Sequence, residues 1–175
     1  MNKEIKNIVL SGLFIAIGVI LPPILHAVNL GSVVSPMHFP ILLCGLLLGW
    51  KYGLIVGVIT PLLASLLWGN PPIVPIAIIM SVELAAYGFF SGFLYHKVKL
   101  FKNLYGNLYF SLITAMVIGR IIYASFYSLL IAFGVEGPAL MGLITSLFVV
   151  GFPGIILQVL IVPPIVLIIE NKEVA

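Results

Sequence analysis

The sequence predicts an all-α integral membrane protein: a single domain over 1–175, six transmembrane helices, and both termini cytoplasmic. Three observations lead there. Charged residues make up only 7% of the chain and hydrophobic ones 62%, at a mean hydropathy of +1.30, whereas soluble domains carry about 25% charged residues. Apolar stretches of helix length recur between Gly/Pro-rich breaks. A span needs roughly 20 residues to cross about 30 Å of hydrocarbon, so a chain of 175 residues holds about six spans and no separate soluble domain. Lys3, Lys6, Lys51, Lys97, Lys99, Lys102 and Lys172 all fall on the side of the termini, and the opposite loops carry no Lys or Arg, a pattern that the positive-inside rule reads as cytoplasmic ends. The net charge of +3 therefore reports topology. Cations at segment ends, rather than on a surface stripe, argue for no nucleic acid among the partners and for the lipid bilayer as the surrounding phase.

The first span, 8–28, follows a short polar start with Lys3 and Lys6. It reaches spanning length and meets Pro22-Pro23 near its far end, unlike the shorter core of a signal peptide, so it is expected to be retained. Gly12 and Ala16 give it a small-x-x-x-small spacing that permits close helix approach in lipid, whether for internal packing or for a partner. After an uncharged loop over 29–35, the second segment, 36–48, is short for a span. The sequence Gly-Trp-Lys-Tyr-Gly over 49–53 predicts a tight turn. The third span, 54–68, is expected to kink at Thr60-Pro61, where proline lacks its N–H. A proline-rich loop over 69–75 leads into the fourth span, 75–95, which ends in a basic patch of His96, Lys97, Lys99 and Lys102. The fifth covers 104–133 and the sixth 140–169, with Glu136 in the loop between them. His26, His96 and Trp68 read as interfacial residues. Asn29 and Asn70, set among prolines and glycines in the outer loops, read as parts of a lid or a pocket mouth.

Two charges break the apolar pattern. Glu83 lies inside the fourth span and Arg120 inside the fifth, and an ionisable residue within a membrane segment is by default a functional-site hypothesis whose partner must be found. Counted inward from the outer ends, Glu83 lies eight residues from Pro75 and Arg120 thirteen from Phe133, or roughly 12 and 20 Å, heights that two long side chains can bridge. Tyr87 shares a helix face with Glu83, and Tyr123 and Tyr127 lie above Arg120 toward the outside. Gln158 on the sixth span can face the same space, and His38, near the outer start of the second, can contact a ligand there. The alternative is a self-neutralising structural pair with tyrosines acting as interfacial anchors.

Catalysis finds little support, and the chain reads as a transport protein rather than an enzyme. A metalloenzyme needs His and carboxylate donors converging on one ion, as in H-E-x-x-H, and no such cluster stands in the sequence. Walker A, G-x-S-x-G and C-x-x-C patterns are missing too, so neither cofactor nor metal is expected and energy for uphill transport must come from another chain. Cys44, the sole cysteine, lies in a Gly/Leu run and reads as core.

The run Met37-His38-Phe39-Pro40-Ile41-Leu42-Leu43-Cys44-Gly45-Leu46-Leu47-Leu48-Gly49-Trp50-Lys51-Tyr52-Gly53, followed by Gly57 and Pro61, resembles the substrate-binding S component of an energy-coupling factor (ECF) vitamin transporter. The resemblance extends over the whole chain in length, span number and topology. It implies a multi-pass protein of the bacterial cell membrane that captures a water-soluble vitamin or precursor from outside. Its implied partners are an ECF coupling transmembrane subunit and two ATPase subunits. It also implies that Gly12 and Ala16 dock on the coupling subunit, although the family's usual Ala-x-x-x-Ala pattern is met here only in relaxed form. The implied pocket is built from helices four to six and capped by the loops after helices one and three, which here carry Glu83, Tyr87, Arg120, Tyr123, Tyr127, Gln158, Asn29 and Asn70. Arg120 suits a carboxylate such as that of pantothenate, whereas Glu83, the tyrosines and Gln158 suit a hydroxylated ring such as pyridoxine or hydroxymethylpyrimidine. The rival reading is an autonomous small-solute transporter or channel oligomer, which should show a polar stripe through the full membrane thickness.

Overall fold

The computed structural model describes residues 2–27, 35–134 and 151–174. Its helices are α1 (Lys3–Ala27), α2 (His38–Leu48), α3 (Trp50–Trp68), α4 (Ile73–Val98), α5 (Leu104–Ala132) and α6 (Phe152–Val174). Within α4 a regular stretch, Ile78–Phe93, follows an entry over Ile73–Ala77 that is kinked at Val74, whose φ of −113° and ψ of 130° are not helical, and leads into a wider π turn over Leu94–Val98. All but α2 are long and apolar enough to cross a membrane. The protein is an all-α, multi-pass membrane protein, as the composition requires. Residues 140–150 of the expected sixth span lie outside the described residues.

The reversal between α2 and α3 is tighter than the sequence suggests. It is concentrated at Gly49, whose φ of 100° is open to glycine and costly for other residues, and α3 begins at Trp50 rather than at 54. Gly53, expected in the turn, instead lies inside α3, where it meets the backbone of Gly88. The helix α3 continues through the Thr60-Pro61 step to Trp68, the end expected for the third span. Thr60 Oγ1 donates to the Val56 carbonyl at 2.7 Å, so the hydroxyl is satisfied within the turn that proline weakens. The helix closes at Gly69, in the left-handed conformation with its N–H on the Ser65 carbonyl, a usual glycine stop.

The centre of the molecule is a seam of glycines. Gly45 of α2, Gly53 and Gly57 of α3, and Gly88 and Gly92 of α4 each bring backbone against backbone of a neighbouring helix. In lipid, where water provides no drive for helix association, such small-residue contacts supply the dispersion that holds helices together. Around the seam lies a buried core that includes Ile41, Leu42, Leu46, Val56, Leu84, Leu108, Leu112 and Val162. By contrast α1 buries only Ser11, Gly18 and Val19.

Pro23 removes the N–H that would have bonded the Val19 carbonyl, and the indole N–H of Trp68 takes its place at 3.1 Å. Trp68 thus clasps α3 to α1 across the proline step, a more specific role than interfacial anchoring. At the opposite end His96 Nε2 lies 2.7 Å from the Leu46 carbonyl. A carbonyl only accepts, so the imidazole proton sits on Nε2. Tyr95 Oη donates to Glu170 at 2.7 Å and Asn107 Nδ2 to the Tyr95 carbonyl at 3.0 Å, tying α4, α5 and α6 together. Lys3, Lys6, Lys99, Lys102 and Glu170 border the clefts at this end. The structure therefore gathers the expected cytoplasmic cations at one pole, with Ser35, Asn70 and Pro71 at the other.

Candidate functional site

Three of the residues singled out from the sequence converge on the carboxylate of a fourth, Glu83. α2 has 11 residues, or about 16 Å of helix, and its far end lies at the basic pole, so His38 at its start sits near mid-membrane depth. There His38 Nε2 approaches Glu83 Oε1 at 3.8 Å, Arg120 Nη1 lies 3.3 Å from the same oxygen, and Tyr87 Oη donates to it at 3.1 Å. The cluster ties α2, α4 and α5 together. Glu83 is 2% exposed and Arg120 8%, so each charge depends on the other, because an unpaired charge at that depth is strongly unfavourable.

Local sequence explains the geometry. Glu83 and Tyr87 are one helical turn apart on α4 and so share a face. Gly119, the residue before Arg120, leaves the space that the Tyr87 ring fills, and a Cβ there would overlap that ring. The His38 ring is tilted against Tyr87 with centroids 5.2 Å apart, completing the packing around the carboxylate.

Next to the cluster, toward the uncharged pole, is a cavity of about 260 Å³. Its lining includes His38, Ser35, Asn70, His26, Met80 and Pro22, contributed by α1, the start of α2, the loop after α3, and α4. His38 belongs to both features: it is 5% exposed, touches the charged cluster and borders the cavity. Both of its ring nitrogens lack a hydrogen-bond partner among the described residues. A buried polar group in that state is uncommon and calls for a ligand or water.

Among the described residues, the other expected ones are not part of the cavity lining. Tyr123 and Tyr127 stack on one another, with centroids 6.2 Å apart, in a small apolar cluster with Ile79, away from the cavity lining. Gln158 is buried in α6, its Nε2 without a hydrogen-bond partner among the described residues. Arg120 faces a second, apolar cleft of about 130 Å³ between α5 and α6. Asn29 lies outside the described residues. Gly12 is exposed, and a side chain built there meets nothing within 4 Å. Ala16 is exposed too, between Leu13 and Ile17, which are exposed in turn. Sequence reasoning missed Pro22 and His26 as cavity residues, whereas Ser35 in the outer loop, like Asn70, reads as part of a pocket mouth and does line the cavity. Pro22-Pro23 was the available signal, since a proline pair near a helix end bends the wall it belongs to.

The arrangement is a buried, charge-balanced anchor below a small polar-rimmed cavity, suited to holding a solute. A comparison with curated proteins and with solved structures returns no match. The family model of the ECF transporter, substrate-specific component, matches residues 6–166, nearly the full length of the chain and including His38, Glu83, Tyr87 and Arg120. The chain therefore belongs to the substrate-specific components of ECF transporters.

Proposed function

We propose that this protein is the solute-capture subunit of an ECF-type importer in a bacterial cell membrane. It takes a water-soluble vitamin or vitamin precursor from the outer, uncharged pole into the cavity over His38. The observation that carries this reading is His38 itself: it is buried, has no hydrogen-bond partner on either ring nitrogen among the described residues, and is shared between the Glu83–Arg120 pair and the cavity. Glu83, Arg120 and Tyr87 act as its positioning residues, Asn70 as a contact at the mouth. Tyr123, Tyr127, Gln158 and Asn29 complete the proposed set from the outer halves of α5 and α6 and from the loop after α1. The chain carries no nucleotide-binding motif, and family membership supports association with a coupling transmembrane subunit and two ATPase subunits that supply the energy.

The test is titration calorimetry of the purified protein with pyridoxine, hydroxymethylpyrimidine and pantothenate, together with mass spectrometry of any solute that co-purifies. For whichever solute binds, His38→Ala is expected to weaken affinity by about tenfold or more, the loss of roughly one buried hydrogen bond. Unchanged affinity would remove His38 from the site.

Docking is proposed to use the exposed α1 face around Gly12 and Ala16. Gly12→Trp is expected to leave ligand affinity unchanged, because the position is exposed and a Cβ there meets no side chain or neighbouring helix within 4 Å. It is also expected to reduce pull-down of the coupling subunit and uptake into vesicles holding all subunits, since a bulky side chain keeps a partner helix at a distance. Concentrative uptake by the isolated chain without ATP would instead favour the autonomous transporter.

A further inference from the structure

Resting on the capture reading above, we infer that the solute is an uncharged, hydroxyl- or amino-bearing heteroaromatic ring, and that carboxylate solutes are rejected. The argument begins with where the cations are. The chain has eight Lys and Arg residues, and all but Arg120 belong to the basic pole in the topology read from the sequence. Arg120 sets Nη1 3.3 Å from Glu83, leaves its buried Nε without a partner among the described residues, and does not border the cavity. The segments outside the described residues, 28–34 and 135–150, contain no Lys or Arg. Their sequences therefore add no fixed positive charge to the protein. A carboxylate entering this cavity loses its hydration without gaining a cationic partner, which is strongly unfavourable in a medium of low polarity.

The histidines do not supply the missing charge. His26 is exposed, so its field is screened by solvent. His38 has Glu83 as its nearest charge, at 3.8 Å, so a proton on Nε2 is directed at that carboxylate. A cationic solute fares no better, because Glu83 is already balanced by Arg120 and does not border the cavity.

What the cavity does offer is neutral chemistry. In the tautomer that carries its proton on Nε2, on the Glu83 side, His38 Nδ1 is an acceptor without a partner among the described residues, and it calls for an O–H or N–H donor on the solute. Ser35 and Asn70 can each donate and accept. Pro22, Pro36, Met37, Pro71 and Met80 form the apolar part of the lining, and proline rings and polarisable thioethers suit a flat aromatic face. A volume of about 260 Å³ falls at the low end for ligand pockets, which run from about 300 Å³ upward, and fits a single substituted ring. Of the candidates drawn from the sequence, pyridoxine and hydroxymethylpyrimidine meet these terms and pantothenate does not.

The experiment uses the full chain in detergent and measures its affinity for pyridoxine, hydroxymethylpyrimidine, 4-pyridoxic acid and pantothenate. Any co-purified solute is identified by mass spectrometry. An uncharged ring is expected to bind at least a hundredfold more tightly than either carboxylate, and a co-purified solute is expected to be uncharged at neutral pH. In Asn70→Lys, which adds a cation at an exposed rim position, the preference for pyridoxine over 4-pyridoxic acid is expected to narrow at least tenfold. Tighter binding of a carboxylate by the unaltered protein, or a carboxylate as the co-purified solute, would overturn this inference and leave solute capture standing. If no probe binds and no solute co-purifies, the capture reading itself fails.

Discussion

Replacing Arg120 with alanine is expected to destabilise the protein by about 3–5 kcal/mol, the usual consequence of leaving one partner of a buried ion pair alone. Glu83 is 2% exposed and lies at mid-membrane depth, where neither water nor another cation from the described residues reaches it. The remaining contacts, the Tyr87 hydroxyl at 3.1 Å and His38 at 3.8 Å, do not replace a full positive charge. Thermal unfolding in detergent should show the loss directly. Adding Glu83→Gln to Arg120→Ala should recover most of it, because the uncompensated charge is then gone while the amide can still accept from Tyr87. The double-mutant cycle would give a coupling of opposite sign to the single losses. If Arg120→Ala loses ligand affinity but keeps its unfolding temperature, Arg120 contacts ligand directly and the pair is not what holds α4 to α5.

The second large effect is expected at Gly88. Its missing side chain lets α4 lie directly on the backbone of α3 at Gly53, and a Cβ there would overlap backbone atoms that cannot rotate away. Extra methylenes in a packed core usually cost about 1–3 kcal/mol, where side chains absorb part of the strain. Here nothing flexible stands opposite, so Gly88→Ile is expected to prevent recovery of monodisperse protein and Gly88→Ala to lower the unfolding temperature clearly. Gly12→Ile is the matched control, since a Cβ at that position meets no side chain or neighbouring helix within 4 Å, and it should purify normally. Equal behaviour of the two would mean that the seam does not hold the helices together.

Much of this was legible in the sequence because the membrane imposes strong rules. Composition decided the solvent, lysine placement separated the poles, and a charge that no bilayer segment tolerates alone led from Glu83 to Arg120. Gly45, Gly53 and Gly57 contributed to a family resemblance without revealing their use, because a glycine suited to a turn and one suited to helix contact look alike in one dimension. Gly53 was assigned to a turn for that reason. The cavity was harder. Helical spacing placed Tyr123 and Tyr127 on the Arg120 helix toward the outside, but spacing along one helix does not say which neighbour it faces, and these rings pack on Ile79. The short α2, which sets His38 at the depth of Glu83, could be read as short but not as half-inserted. Its start is fixed by the turn at Pro36 and Met37 and by contacts across the bundle.

The clasp between α1 and α3 makes the protein its own optical instrument. Trp68 holds the Val19 carbonyl that Pro23 leaves open, between the α1 residues Pro22 and His26 and the loop residues Asn70 and Pro71 that wall the cavity. The chain has two tryptophans, and Trp50 lies at the far pole, edge-on to Phe89 with ring centroids 5.4 Å apart. With phenylalanine at position 50, indole emission comes from the clasp alone. Its wavelength then reports whether the indole N–H is bonded to the carbonyl or facing its surroundings, so movement of α1 can be followed in an unlabelled protein while a non-fluorescent solute is added.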